Sequence, residues 1–125
     1  MSEQTYTIAE LAREFDITPR TIRHYEEQGL LSPARAGVQR VYDKRDRTRL
    51  KLTLRGKRLG LSLAEIRELI DMYDTAPESS QLSRFLEVLA HRRAMLAQQR
   101  EDIAAVLTEI AVLERQCRAL LGQRL

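Results

Sequence analysis

Apolar residues in this chain return at helical spacing, and the places where the spacing resets mark the element boundaries. Ile8, Leu11, Ala12 and Phe15 stand at i, i+3, i+4 and i+7, a single stripe that predicts a short amphipathic helix. In front of it Thr7 and Glu10 have the spacing of a capping box, in which each side chain bonds the backbone N–H of the other. A second helix is expected after the brief turn Asp16-Ile17-Thr18. Thr18 caps it, Pro19 takes the first helical position, where a missing N–H costs nothing, and Gly29 supplies a left-handed stop. Two short helices joined this tightly are the pattern of a helix-turn-helix.

The period then changes. Pro33 and Gly37 are turn formers, and Val38-Gln39-Arg40-Val41-Tyr42 is a β-prone run, so a small hairpin is expected. Asp43 is placed to cap a third helix to about Leu59, weakened at Gly56 and ended by Gly60. Ser62 and Glu65 form another capping box, and the fourth helix should bury Ile66, Leu69, Ile70 and Tyr73. Beyond the linker-like "DTAPESS" a seven-residue repeat sets in. One column reads Leu82, Leu89, Leu96, Ile103, Ile110, Cys117; the other reads Phe85, Arg92, Gln99, Val106, Leu113, Leu120. With no Pro or Gly before Gly122, this is a rod of about forty residues and roughly 60 Å. Its seam has nothing on the same chain to bury against, which implies a homodimer; the alternative is a helix folded back on its own head. The expected fold class is therefore mainly α, with a head over residues 1–75 and a coiled-coil dimerisation helix over 76–125.

Composition narrows the setting. A chain of 125 residues fits one domain, or a small domain with an appendage. No apolar run approaches the roughly 20 residues of a membrane span. The start "MSEQTYTIAE" has neither the basic nor the apolar stretch of a signal peptide, so the expected compartment is the cytoplasm, with no membrane partner. Cys117 is the only cysteine, which excludes an intrachain disulfide and a multi-thiolate metal site made by one chain. Net charge is only +3, but its distribution is uneven. Between Arg35 and Arg58 ten Lys/Arg face only Asp43 and Asp46, a local +8 against −5 elsewhere. Such a concentration has the look of a polyanion footprint.

The second helix carries the chemistry. Arg20, Arg23, His24 and Glu27 lie at i, i+3, i+4 and i+7, opposite the inward Ile22, with Tyr25 at the edge. A helix fits the major groove of duplex DNA, where Arg can donate two hydrogen bonds to guanine and basic groups neutralise phosphates. The hairpin would act as a wing, with Arg35, Arg40 and Tyr42 on the sugar–phosphate backbone or in the minor groove. Ser62 and Leu63, at the start of the fourth helix, would offer backbone N–H groups to one more phosphate. Enzymatic readings find no support: there is no glycine-rich phosphate loop, no metal-ligand spacing and no nucleophile–base pair, so no catalytic residue and no cofactor are expected. His91 reads as solvated, and Cys117 as a thiol in the core column rather than a redox sensor.

The stretches "YTIAELAREFDITPRTIRHYEEQGLLSP", "RVY" and "LGLSLAEIRELIDMYD" together resemble the MerR family of bacterial transcription regulators, over Tyr6 to about Asp74. The resemblance implies a winged helix-turn-helix and an antiparallel coiled-coil homodimer. Read with the repeat, that dimer would have Leu82, Leu89, Leu96, Ile103, Val106, Ile110, Leu113 and Cys117 at its interface. It further implies binding to a palindrome in an over-long promoter spacer and a distortion of that DNA that lets RNA polymerase engage both promoter elements. Carried over by position, the recognition contacts fall on Thr18, Arg20, Thr21, Arg23, His24 and Tyr25, and the wing's Arg-x-Tyr pattern on Arg40 and Tyr42. Two departures stand out: His24-Tyr25 where the family often has Tyr-Tyr, and Val38-Gln39 where it usually has Gly-Tyr. Metal-sensing members carry several cysteines near the end of the long helix, a set this chain lacks, which leaves a small-molecule effector as the partner to consider. The run "RDRTRLKLTLRGKRLGLSLAEIRELIDMYD" looks like a subgroup that regulates branched-chain amino acid and fatty-acid catabolism. Two other classes stay open on residues alone, a structural DNA-bending or recombination accessory protein and a coiled-coil adaptor whose head binds protein.

Overall fold

A computed structural model describes residues 4–124. In chain order the elements are α1 (Ile8–Phe15), α2 (Pro19–Glu27), β1 (Ala34–Ala36), β2 (Gln39–Val41), α3 (Lys44–Leu59), α4 (Leu63–Thr75) and α5 (Glu78–Gln123). The fold is thus mainly α, as expected, with one hairpin between α2 and α3. Two compact units meet between Leu86 and Glu87.

The caps read from the sequence are in place. Thr7 Oγ1 accepts from the Glu10 N–H at 3.1 Å, and Glu10 Oε1 accepts from the Thr7 N–H at 2.9 Å. α1 ends at Asp16, whose φ of 54° is left-handed. Two residues on, Thr18 Oγ1 accepts from the Thr21 N–H at 3.1 Å and opens α2 behind Pro19. Gly29, at φ +78°, turns the chain out of that helix, and the Leu30 N–H returns to the Tyr25 carbonyl at 2.9 Å. Leu11, Ile22, Leu30, Tyr42 and Leu50 are fully buried, so one small core joins α1, α2, the hairpin's end and α3.

β1 and β2 pair antiparallel with Ala34 opposite Val41, Arg35 opposite Arg40 and Ala36 opposite Gln39. The strand is shorter than expected, because Val38 lies at the exposed turn with Gly37 at φ +65°. Tyr6 and Tyr42 exchange backbone hydrogen bonds at 2.8 and 3.0 Å, which fastens the base of the hairpin to the segment before α1.

Asp43 caps α3 as read, and Asp46 answers it in a full capping box. Gly56 has a use beyond weakening that helix. A Cβ there would stand 2.7 Å from Ile66 Cγ1, so the glycine lets Ile66 of α4 pack directly against α3. Ile66 and Ile70 are buried as expected, whereas Tyr73 is 51% exposed, a correction to the predicted stripe. Tyr73 instead lines an open apolar groove of about 240 Å³ with Leu59, Leu69, Leu82 and Phe85. A buried arginine that the sequence did not single out, Arg49, links the head internally: its guanidinium bonds the carbonyls of Gly29, Leu30 and Ile70 and the carboxylates of Asp71 and Asp74.

α5 begins at Glu78, four residues before the repeat. Gln81 Nε2 donates to the carbonyls of Met72 and Ala76, both at 2.9 Å, and to that of Tyr73 at 3.3 Å, and so fastens the start of α5 to the end of α4. In the unit from Glu87 onward the chain is a single helix, and its apolar column stays on the surface: Leu96, Ile103, Val106, Ile110 and Leu113 are all exposed.

Candidate nucleic-acid interface

Ile22 and Tyr25 hold one side of α2 in the core, which fixes the opposite side outward. Arg20, Arg23, His24 and Glu27 are exposed on it, and Thr21 is half-buried with its hydroxyl 2.9 Å from that of Thr18. Three elements come together at this surface. Arg20, Thr21, His24 and Tyr25 of α2, Lys57 of α3 and Leu63 of α4 line an open depression of about 290 Å³. Lys57 was legible only as one charge among ten; its place beside α2 follows from the turn at Gly60, which brings the last turn of α3 and the first of α4 to one spot.

At the start of α4 the expectation needs a correction. The Ser62 N–H is not open to a phosphate, because it donates to Glu65 Oε1 at 3.1 Å while Ser62 Oγ accepts from the Glu65 N–H at 3.1 Å. Among the described residues the first-turn N–H groups left without a helical acceptor there are those of Leu63 and Ala64.

Tyr42 is the second correction. It is 0% exposed, so its ring packs in the core and its side chain cannot reach a ligand at the surface. Its hydroxyl has no hydrogen-bond partner, and burial pushes the phenol pKa up, with the nearby Glu26 carboxylate adding to the effect. Tyr25 is largely buried as well, and contributes to the depression as its floor rather than as an extended side chain.

The wing arginines are not free cations. Arg40 Nε donates to Glu26 Oε2 at 2.6 Å, and Arg35 Nη2 lies 3.6 Å from Glu26 Oε1. The basic block as a whole is divided in the same way. Arg45 pairs with Asp74 at 2.5 Å, Arg47 with Glu14, and Arg49 with Asp71 and Asp74. The hydrogen bond from Arg45 is the main cause holding the Asp74 carboxyl below the usual carboxylate range, and the bond from Arg47 does the same for Glu14. Much of the +8 therefore binds the head together, while Lys51, Arg55, Lys57 and Arg58 remain exposed.

The predicted dimer column is exposed at Leu82, Leu96, Ile103, Val106, Ile110 and Leu113, half-buried at Leu89, and exposed at Cys117. Among the described residues no group of three or more His, Cys, Asp or Glu side chains is arranged to hold a metal ion. No helix among them is long and apolar enough to cross a membrane.

Comparison with known proteins agrees with this geometry. The sequence model of the family described as "MerR HTH family regulatory protein" matches residues 6–73, and that described as "MerR, DNA binding" matches residues 47–121. The HTH-type transcriptional regulator ZntR of Escherichia coli is 41% identical over 69 residues, covering 54% of this chain and 49% of that protein. The chain thus spans about half the length of this curated relative. The transcription regulator PbrR691 of Ralstonia metallidurans, solved with lead(II), superposes with a TM-score of 0.73 at 29% identity, covering 86% of this chain and 84% of that one. HiNmlR, a regulator lacking the sensor domain and solved on promoter DNA, gives a TM-score of 0.60 at 25% identity, covering 80% and 79%.

Proposed function

The chain belongs to the MerR family of helix-turn-helix regulatory proteins, and from that membership we propose that it is a transcriptional regulator that binds duplex DNA as a homodimer. The observation that carries the reading is the outward face of α2. Arg20, Arg23 and His24 project from a helix whose other side is locked in the core, with Lys57 beside them. In this reading α2 enters the major groove, Arg23 hydrogen-bonds a guanine edge, Arg20 and Lys57 neutralise phosphates on either side, and His24 donates a hydrogen bond to one. Thr18 and Thr21 hold the helix entrance, the wing lies along the adjacent backbone, and the Leu63 N–H faces a further phosphate. HiNmlR, solved on promoter DNA without a sensor domain and matched over 80% of this chain, supports DNA binding by a chain of this build.

Two heads joined by antiparallel α5 helices, through Leu82, Leu89, Leu96, Ile103, Val106, Ile110, Leu113 and Cys117, would read the two halves of a palindrome. Bending and twisting the spacer between promoter elements would then govern RNA polymerase through the shape of the DNA. The protein acts in the cytoplasm, without catalysis, and a small-molecule effector sets its state. Its target genes are those of branched-chain amino acid and fatty-acid catabolism, on the likeness of residues 45–74 to that subgroup.

Binding to duplex DNA across a salt series tests the proposal. Affinity should fall steeply with salt, with a slope near 0.9 for each phosphate neutralised, and Arg23→Ala should relax sequence preference. An accessory DNA-bending protein would lose affinity equally on every sequence after the same substitution, and an adaptor would show no steep salt dependence.

A further inference from the structure

Arg35 and Arg40 stand directly opposite each other across the hairpin. Like charges in that position repel, and a hairpin with three-residue strands is marginal by itself. Glu26, in the last turn of α2, is the anion between them, and it treats the two unequally. Arg40 makes a hydrogen bond of 2.6 Å through Nε, and both side chains are largely shielded, 26% exposed for Arg40 and 22% for Glu26. Arg35 is 51% exposed and 3.6 Å away.

We propose that the two wing arginines do different work: Arg40 is a positioning residue that locks the hairpin to α2 through Glu26, and Arg35 is the wing's contact to a DNA phosphate. This rests on the head being a duplex-binding module. A half-exposed pair at the longer distance is screened by water and contributes little, so Arg35 exchanges Glu26 for a phosphate at small cost. Withdrawing Arg40 would leave a shielded carboxylate with its better partner gone, a loss that a phosphate contact does not offset. The Glu26–Arg40 bond therefore sets the angle between wing and recognition helix, and that angle decides which DNA shape the head accepts. Neither Glu26 nor this division of labour is visible in the Arg-x-Tyr pattern, which treats Arg40 as a contact.

The test uses the full chain and two duplexes of equal length, one selected from a random library by the wild-type protein and one scrambled. Arg35→Ala should weaken binding to both duplexes alike and reduce the salt slope by about 0.9 for each phosphate it no longer neutralises. Arg40→Ala and Glu26→Gln should each leave the salt slope unchanged and lower the preference for the selected duplex on the order of tenfold. The double variant should be no worse than either single one. Should Arg40→Ala fail to fold, Glu26→Gln, which keeps the shape of the side chain, carries the same test. An Arg40→Ala or Glu26→Gln variant that keeps its preference, or an Arg35→Ala variant with the wild-type salt slope, overturns the assignment. A wild-type protein that prefers no duplex sinks instead the functional reading beneath it.

Discussion

Arg49 Nη1 donates to Asp74 Oδ2 at 2.8 Å, and this bond ties the middle of α3 to the end of α4. The rest of the guanidinium is equally committed: Nε to the Leu30 carbonyl at 2.7 Å, Nη1 also to that of Ile70, Nη2 to Asp71 at 3.1 Å and to the Gly29 carbonyl. All five N–H donors of an arginine are thereby used. The exit of α2 and the approach to α5 share one buried cation.

Arg49→Ala should therefore cost about 3–5 kcal/mol, the range for breaking a buried charged network. Arg49→Lys, which keeps the charge but offers three donors on a narrower head, should recover only part of it. Urea unfolding of the two variants checks this. A lysine variant as stable as the wild type would show that charge, not the forked geometry, matters.

Acid should weaken the same joint. The Asp74 carboxyl is held below its ordinary value of 3.8, first by the hydrogen bond from Arg45. A carboxyl with a depressed folded pKa contributes stability that is complete above the unfolded value and lost as pH falls through the folded one. The stability difference between wild type and Asp74→Asn should be constant near neutrality and should close on acidification below that ordinary value. Asp46, whose pKa burial raises, works in the opposite sense, so the comparison has to be made variant by variant.

Gly56→Ala sets helix propensity against packing. In an exposed helix interior the change would gain about 1 kcal/mol. Here the new methyl would meet Ile66 Cγ1 at 2.7 Å and Cδ1 at 2.9 Å, and overpacking costs about 1–3 kcal/mol. The prediction is a net loss, read as a lower thermal midpoint. Gly56→Ala together with Ile66→Val should recover part of it if the clash is the cause.

Ile103 is 60% exposed on α5, in the column read as the dimer seam. Ile103→Glu should convert a two-chain species to one chain in sedimentation while the head keeps its cooperative unfolding. In antiparallel rods Cys117 faces the early part of the partner's helix, so mild oxidation of the wild type should leave the chains unlinked. Rapid, complete disulfide formation would argue for parallel rods.

What the sequence disclosed was what neighbours along the chain decide. Thr7 with Glu10, Thr18 with Thr21, and Ser62 with Glu65 act over three residues, so the starts of α1, α2 and α4 could be read directly. Arg49 reaches partners 19 to 25 residues away, and Arg47 finds Glu14 across 33, so their roles appear only after the helices have met. Until then both are charges in a basic block. Tyr42 misled for a related reason: its place beside the wing arginines in the Arg-x-Tyr pattern does not tell that the folded chain buries its ring. The groove beside Tyr73 is of the same kind: helical spacing puts Tyr73 on the stripe of Ile66 and Ile70, but whether anything covers it there is not decided locally. Lys57 joined the α2 surface by the turn at Gly60, a placement that charge patterning alone does not give.

The most direct measurement is selection of bound duplexes from a random library by the purified chain, followed by the mass of the resulting complex. The account predicts enrichment of an inverted repeat carrying two protein chains, with Arg23→Ala broadening the enriched set. No enrichment, or a complex with a single chain on the duplex, would contradict it.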